Sequence, residues 1–98
     1  MTTVVNLRTD SYDVYIGRPM KSIRGSKDSL WGNAFVIGLD GTREEVIAKY
    51  CAWLRFPERA GLVQQAREKL KDKILGCWCK PEACHGDVLA AIANGEEL

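Results

Sequence analysis

The strongest constraint on the fold of this chain is the segment KILGCWCKPEACHGD at residues 73–87. Its first half is a continuous apolar run, which is typical of a strand that is buried on both faces. The run ends at Lys80-Pro81, and a helical apolar pattern then begins near Cys84 and lasts to Asn94-Gly95, an ordinary helix end. The segment therefore predicts a C-terminal strand-loop-helix unit around which the rest of the chain has to pack.

The N-terminal part of the chain is expected to supply further strands. TVVNLR at residues 3–8 and YDVYIG at residues 12–17 are short and rich in β-branched and aromatic residues. Residues 17–30 show no periodicity and are interpreted as a long loop. A short additional strand is expected at Ala34–Ile37.

Two helices are expected before the C-terminal unit. Thr42 and Glu45 fit a capping box, and apolar residues at spacings of three and four predict a helix that ends near Phe56. A second helix is expected from about Glu58 to Lys71. The order ββ(β)ααβα indicates an α/β fold, with a small three- to four-stranded sheet flanked by three helices, in a single domain over residues 1–98.

Composition limits the partners and the compartment. With 14 basic and 13 acidic side chains the net charge is +1, so nucleic-acid binding is not favoured and any electrostatic attraction has to be local. The first residues lack the pattern of a secretory signal, and no apolar run is long enough to span a membrane. We therefore expect a cytoplasmic protein without a membrane partner, whose cysteines serve metal binding, catalysis or packing rather than disulfides.

The start of the last helix is the first candidate site. A helix N-terminus that follows a buried strand offers backbone N–H groups and partial positive charge to an anion. At such a position a cysteine becomes more nucleophilic, a histidine can act as general acid or base, and an acidic residue can orient it. The residues assigned to this site are the catalytic candidates Cys84, His85 and Asp87 and the ligand-binding candidates Cys79, Lys80 and Gly86.

The same segment also supports a metal site as an alternative. Cys77, Cys79, Cys84 and His85 form a Cys3His set, which has the ligand types of tetrahedral zinc. The C-x-C spacing differs from the C-x2-C of zinc knuckles, and one short segment would have to supply all four ligands. In a third interpretation the cysteines are packing residues, with Cys77 in the core and Cys51 on the apolar face of the first helix. The preferred hypothesis therefore contains no cofactor, and zinc is its alternative.

Two further segments are candidates for the same site. In the basic loop GRPMKSIRGSK, Arg18 and Arg24 suit the recognition of phosphate or carboxylate, although a solvated loop would have the same composition. In LWGNAF, Trp31 could stack on a base while Asn33 reads its edge. Alternatively, Trp31 fills the core and Asn33 ties the loop through an Asx turn.

Several stretches of the chain carry a resemblance to a known family. Together, VVNLR, YDVYIGRP, WGNAF, IGLDGTREEVIAKY and LGCWCKPEACHGDVLA resemble the small phage and bacterial family catalogued as domain of unknown function 4326. The likeness covers nearly the whole chain, and the combination of WGN with CWC-x4-CHGD is specific. The resemblance implies a compact α/β domain of phage or bacterial origin, and it implies little about activity.

These patterns favour binding of a small anionic molecule. The preferred hypothesis is a protein that binds a nucleotide or a related phosphorylated molecule at the strand-to-helix junction, with hydrolysis or glycosyl transfer as candidate reactions. The alternative is a non-catalytic phage accessory protein that binds a host protein or a nucleic acid. In that case a zinc site or plain packing accounts for the cysteines.

Overall fold

The fold was analysed in a computed structural model that describes residues 1–17, 31–33 and 35–96. The candidate ligand residues Arg18 and Arg24 lie outside the described residues. The elements in chain order are strand β1 (Thr3–Asn6), strand β2 (Val14–Tyr15), helix α1 (Arg43–Leu54), a 3-10 turn (Pro57–Arg59), helix α2 (Ala60–Lys69), strand β3 (Ile74–Cys77) and helix α3 (His85–Ala93).

Strand β3 lies at the centre of a parallel sheet with the order β1-β3-β2. Val5 of β1 and Tyr15 of β2 both pair with Gly76 of β3. Leu75 and Cys77, on one face of β3, are 0% and 2% exposed, and Gly76 on the opposite face is also buried, as expected for a central strand covered on both faces. The α/β class, the three helices and the C-terminal strand-loop-helix unit are thus confirmed, with three strands in the described sheet.

The additional strand expected at Ala34–Ile37 is not found among its described residues 35–37. Ala34 lies outside the described residues, and Ile37 forms only an isolated bridge with Gly41. Gly38 and Gly41 have φ angles of 89° and 141°, values that side chains rarely tolerate, so the chain turns back on itself here. In the described part of this stretch, irregular residues 35–36 are therefore followed by a tight turn from Ile37 to Gly41.

The link between β1 and β2 crosses one face of the central strand. Because β1 and β2 are parallel and lie on opposite sides of β3, residues 7–13 have to return across the sheet. The ring of Tyr12 lies on Gly76, where a Cβ atom would be 2.6 Å from the ring. At the start of β3, the Asp13 carboxylate accepts a hydrogen bond from the Ile74 N–H at 2.8 Å. The absence of a side chain at Gly76 therefore lets the link cross.

The helices pack together, and α3 lies directly against the sheet. A Cβ atom at Gly86 of α3 would lie 2.5 Å from Ile16 and 3.0 Å from Val4, so glycine permits this close approach. The largest fully buried side chains of the core are Ile16, Tyr50, Leu54, Leu70, Leu75, Leu89 and Ile92. Among the helices of the described ranges, none is both long and apolar enough to cross a membrane.

Helix α1 begins as predicted and buries a narrower face than predicted. Its capping box is confirmed, with the Thr42 hydroxyl accepting from the Glu45 N–H and the Glu45 carboxylate accepting from the Thr42 N–H. These hydrogen bonds lower the pKa of Glu45. Its buried residues include Tyr50, whereas Cys51 is only half-buried. Cys51 follows Tyr50 by one position, about 100° further round the helix, and this explains why the core position expected for it was wrong.

Substitution of Gly76 tests the crossing link. Gly76→Ala is expected to lower the free energy of unfolding by about 1–3 kcal/mol, because the added methyl group has to displace the Tyr12 ring or strain the strand. Gly61→Ala in α2 is the matched control, since a Cβ atom there meets nothing within 4 Å. That control is expected to be neutral or stabilising by about 0.5 kcal/mol. Urea unfolding measures both, and equal effects of the two substitutions would contradict the crossing.

Candidate metal centre

The end of strand β3 and the start of helix α3 bring together two cysteines and the histidine. One ligand atom from each of Cys77, Cys84 and His85 lies within 4.8 Å of the other two. Cys77 and Cys84 are 2% and 1% exposed, and His85 is 9% exposed. Three residues whose side chains bind zinc-like divalent metals are therefore gathered at one buried point. Cys84 and His85 lie on the far side of the loop from Cys77.

The two cysteines of this group are in direct contact. Their sulfur atoms lie at bonding distance, as in a disulfide, while their Cα atoms are 7.5 Å apart. Relaxed disulfides usually have Cα separations of about 4.4–6.8 Å. Two thiolates bound to one zinc ion, with Zn–S bonds of about 2.3 Å, hold their sulfurs further apart than a disulfide does. The wide backbone separation suits a shared ion better than a disulfide.

His85 is oriented by the main chain of the neighbouring strand region. Its Nε2 atom lies 2.7 Å from the carbonyl oxygen of Ile16, which can only accept, so Nε2 carries a hydrogen atom. In the neutral ring the lone pair of Nδ1 then faces the sulfur of Cys84, at 3.7 Å. Metal-binding histidines are commonly held in this way, with the second ring nitrogen donating to a carbonyl group.

An aromatic residue fixes the other side of the His85 ring. Tyr50 meets it edge-on, with ring centroids 5.0 Å apart. Burial raises the pKa of the Tyr50 hydroxyl well above its ordinary value, so the group stays protonated and donates to the Trp31 carbonyl at 2.9 Å. This hydrogen bond ties the WGN turn (residues 31–33) to α1 next to the His85 ring.

The backbone N–H groups of Cys84 and Gly86, at the start of α3, donate hydrogen bonds within the protein. Cys84 is the N-cap, and its sulfur accepts from the Gly86 N–H at 3.3 Å. The carboxylate of Asp87 accepts from the Cys84 N–H at 3.1 Å and pairs with the Lys80 ammonium group at 2.6 Å. The Asp87 carboxylate thus lies where a bound anion was expected. Catalytic roles for Cys84, His85 and Asp87, and ligand binding by Lys80 and Gly86, stay predictions.

A small cavity adjoins the cysteines and the histidine. Its volume is about 120 Å³, and all three residues of the group line it. Cys79, on the same face of the β3 segment as Cys77, is half-buried and also lines it, but is not within the mutual 4.8 Å distances. The Cys3His set predicted for zinc is therefore brought together in three of its four members.

The WGN turn has a packing role in the structure. Trp31 is 6% exposed and belongs to the core cluster. Asn33 lines the cavity, but its amide donates to the Val46 carbonyl at 3.2 Å and accepts from the Phe35 N–H at 2.9 Å. This is the Asx-type tie that was one of the two interpretations of Asn33. Base recognition by Trp31 and Asn33 stays a prediction.

Two parts of the site were missed by the sequence analysis. The Ile16 carbonyl group, which orients His85, has no signature in the sequence because any residue carries one. Arg43 lines the cavity from the first residue of α1, and its Nη1 donates to the Ala83 carbonyl at 3.0 Å. A cation in the first turn opposes the helix dipole, and this unfavourable placement was a signal that the sequence did contain.

The comparisons with known proteins agree with the motifs. A family model described as a domain of unknown function, DUF4326, matches residues 3–95. The chain belongs to the DUF4326 family. It is similar to an uncharacterized 12.4 kDa protein in the nrdA-td intergenic region of Enterobacteria phage T4, with 36% identity over 93 residues that cover 93% of this chain and 76% of the relative. No solved structure matches the chain.

In this DUF4326 chain, substitutions of Asp87 test whether it caps α3. Asp87→Ala is expected to lower the free energy of unfolding by about 1 kcal/mol, because the Cys84 N–H loses its acceptor. Asp87→Asn keeps an acceptor oxygen and should lose less than half as much. Lys80→Met, which removes only the partly exposed ion pair, should change stability by less than about 0.5 kcal/mol. Urea unfolding measures these free energies, and an Asp87→Ala variant as stable as the parent chain would contradict the capping role.

Proposed function

We propose that this protein is a metal-binding domain that holds a zinc-type divalent ion through Cys77, Cys84 and His85. The observation that carries the proposal is the mutual approach of their three ligand atoms to within 4.8 Å at a buried point. The ion joins the end of the central strand to the start of α3. It therefore stabilises the unit on which the other elements pack.

The donor set supports zinc over harder cations. Two thiolates and an imidazole are ligands for zinc and related transition metals, whereas magnesium and calcium require oxygen ligands. Among the described residues, this group of three contains no carboxylate. The hydrogen bond from His85 to the Ile16 carbonyl directs the lone pair of Nδ1 toward the sulfurs, and this orientation lowers the entropy cost of binding an ion.

The geometry supports a metal more than a nucleotide. Pockets for drug-sized ligands usually have volumes of about 300–1,000 Å³, so the cavity of about 120 Å³ bounded by described residues is small for a nucleotide. The backbone N–H groups of Cys84 and Gly86 are engaged by Asp87 and by the Cys84 sulfur, respectively. A nucleotide would need both a larger cavity and other donors.

Metal analysis of the reduced protein tests this proposal. The full chain, purified without a metal-binding tag and reconstituted with Zn²⁺ under reducing conditions, should retain about one ion per chain after desalting. Cobalt substitution should give sulfur-to-metal charge-transfer absorption and the visible bands of a tetrahedral ion. Removal of the metal by a chelator should lower the melting temperature by about 5 °C or more.

Cysteine variants separate a specific site from loose binding. Cys84→Ser is the informative change, because serine is a good N-cap and preserves the helix start while the thiolate is lost. It should reduce bound zinc to below about a tenth of an equivalent. Cys51→Ser, which alters a half-buried cysteine on α1 outside the group, should bind as the parent does. Retention of less than about half an equivalent by the folded parent chain would overturn the proposal.

A further inference from the structure

The cavity beside the three candidate ligands is lined mainly by apolar side chains and by one arginine, Arg43. Phe35, Val46 and Ile47 line it together with the cysteines and His85. Arg43 is the one arginine or lysine among the described residues that line the cavity, and none of those residues is acidic. The site therefore combines apolar surface with a positive group, which is the complement of a small organic anion.

Arg43 is held in place by the protein and retains donors for a ligand. One guanidinium nitrogen donates to the Ala83 carbonyl at 3.0 Å and joins the start of α1 to the loop that precedes α3. A guanidinium group has five N–H donors in a planar fork that matches a carboxylate, so a single bond to a carbonyl does not exhaust it. A bound anion would also offset the unfavourable position of this cation at a helix N-terminus.

The ligand set itself has room for a further donor. Zinc is usually bound by four ligands, and the group supplies three. A divalent ion with two thiolates and a neutral imidazole carries no net charge, so Arg43 leaves the described lining of the cavity with a net positive charge. A fourth ligand that is anionic and binds through oxygen therefore satisfies both the metal and the arginine.

We propose that the cavity binds a small aliphatic carboxylate, which coordinates the metal through one oxygen beside Arg43. This inference rests on the metal-binding function proposed above. The cavity volume of about 120 Å³ lies well below the about 300–1,000 Å³ usual for drug-sized ligands, so it favours an acid of a few carbon atoms over a nucleotide. The hydrocarbon part lies against Phe35, Val46 and Ile47.

Titration of the cobalt-substituted full chain tests the inference. Butyrate should change the visible cobalt bands saturably, since replacement of the fourth ligand alters the field at the ion. Acetate should need an about tenfold higher concentration for half saturation, because it lacks two methylene groups that butyrate buries. Adenosine monophosphate, which is too large for the cavity, should leave the bands unchanged up to the concentration at which butyrate saturates them.

Variants of Arg43 identify the group that holds the carboxylate. Arg43→Gln should raise the half-saturating butyrate concentration about tenfold, and Arg43→Lys should raise it less, because lysine keeps the charge and loses the planar fork. Arg67→Gln on α2, which removes a charge outside the cavity lining, is the matched control and should have no effect. Circular dichroism establishes that each variant is folded.

The outcomes separate this inference from the metal site itself. Cobalt bands that no carboxylate alters would overturn the carboxylate site and leave the metal centre standing. Folded protein that binds no cobalt would overturn both. Bands that respond to adenosine monophosphate at the concentrations effective for butyrate would replace the small carboxylate with a nucleotide. Equal butyrate binding by the parent chain and Arg43→Gln would remove Arg43 from the site.

Discussion

The contact on which the structure depends is the close approach of Gly86 to the sheet. Because Gly86 has no side chain, the first turn of α3 lies directly against Val4 of β1 and Ile16 beyond β2. This approach places the two residues that precede Gly86 beside the end of the central strand. A side chain at this position would meet the ends of the Ile16 and Val4 side chains, so either these side chains or the first turn of α3, with Cys84 and His85, would have to shift.

Much of the fold was predictable because it follows from local patterns. The apolar run that forms β3 and the capping box at Thr42 and Glu45 are signals contained within a few neighbouring residues, and both were found. The strand expected at Ala34–Ile37 is not found among its described residues 35–37, because apolar residues in a short run carry no information about whether a partner strand is available. The contact between Tyr12 and Gly76, which lets the link cross the sheet, joins residues far apart in the chain. No periodic sequence pattern marks such a contact, so it could not be predicted.

The sequence pointed to the residues of the candidate site, but it did not show which of them lie close together in space. The density of cysteine and histidine pointed to the right segment, and Cys77, Cys84 and His85 meet there. The C-x-C spacing counted against a metal site, because the usual C-x2-C rule describes two ligands on one turn of the chain. In this fold the candidate ligands come from two elements, Cys77 at the end of β3 and Cys84 and His85 at the start of α3. Asp87 was expected to orient His85; its carboxylate accepts from the Cys84 N–H and pairs with Lys80, as in an ordinary helix cap, and a catalytic role for it stays a prediction.

The strand order also affects how the chain folds during synthesis. Both edge strands pair only with β3 in the described sheet, and Thr3 is matched with Ile74, so no part of this sheet can form from the N-terminal half alone. At translation rates of about 5–20 residues per second, β1 and β2 wait for several seconds before their partner is made. The N-terminal strands have to remain unpaired during this time, and the segment that completes the sheet is the same one that carries Cys77, Cys84 and His85.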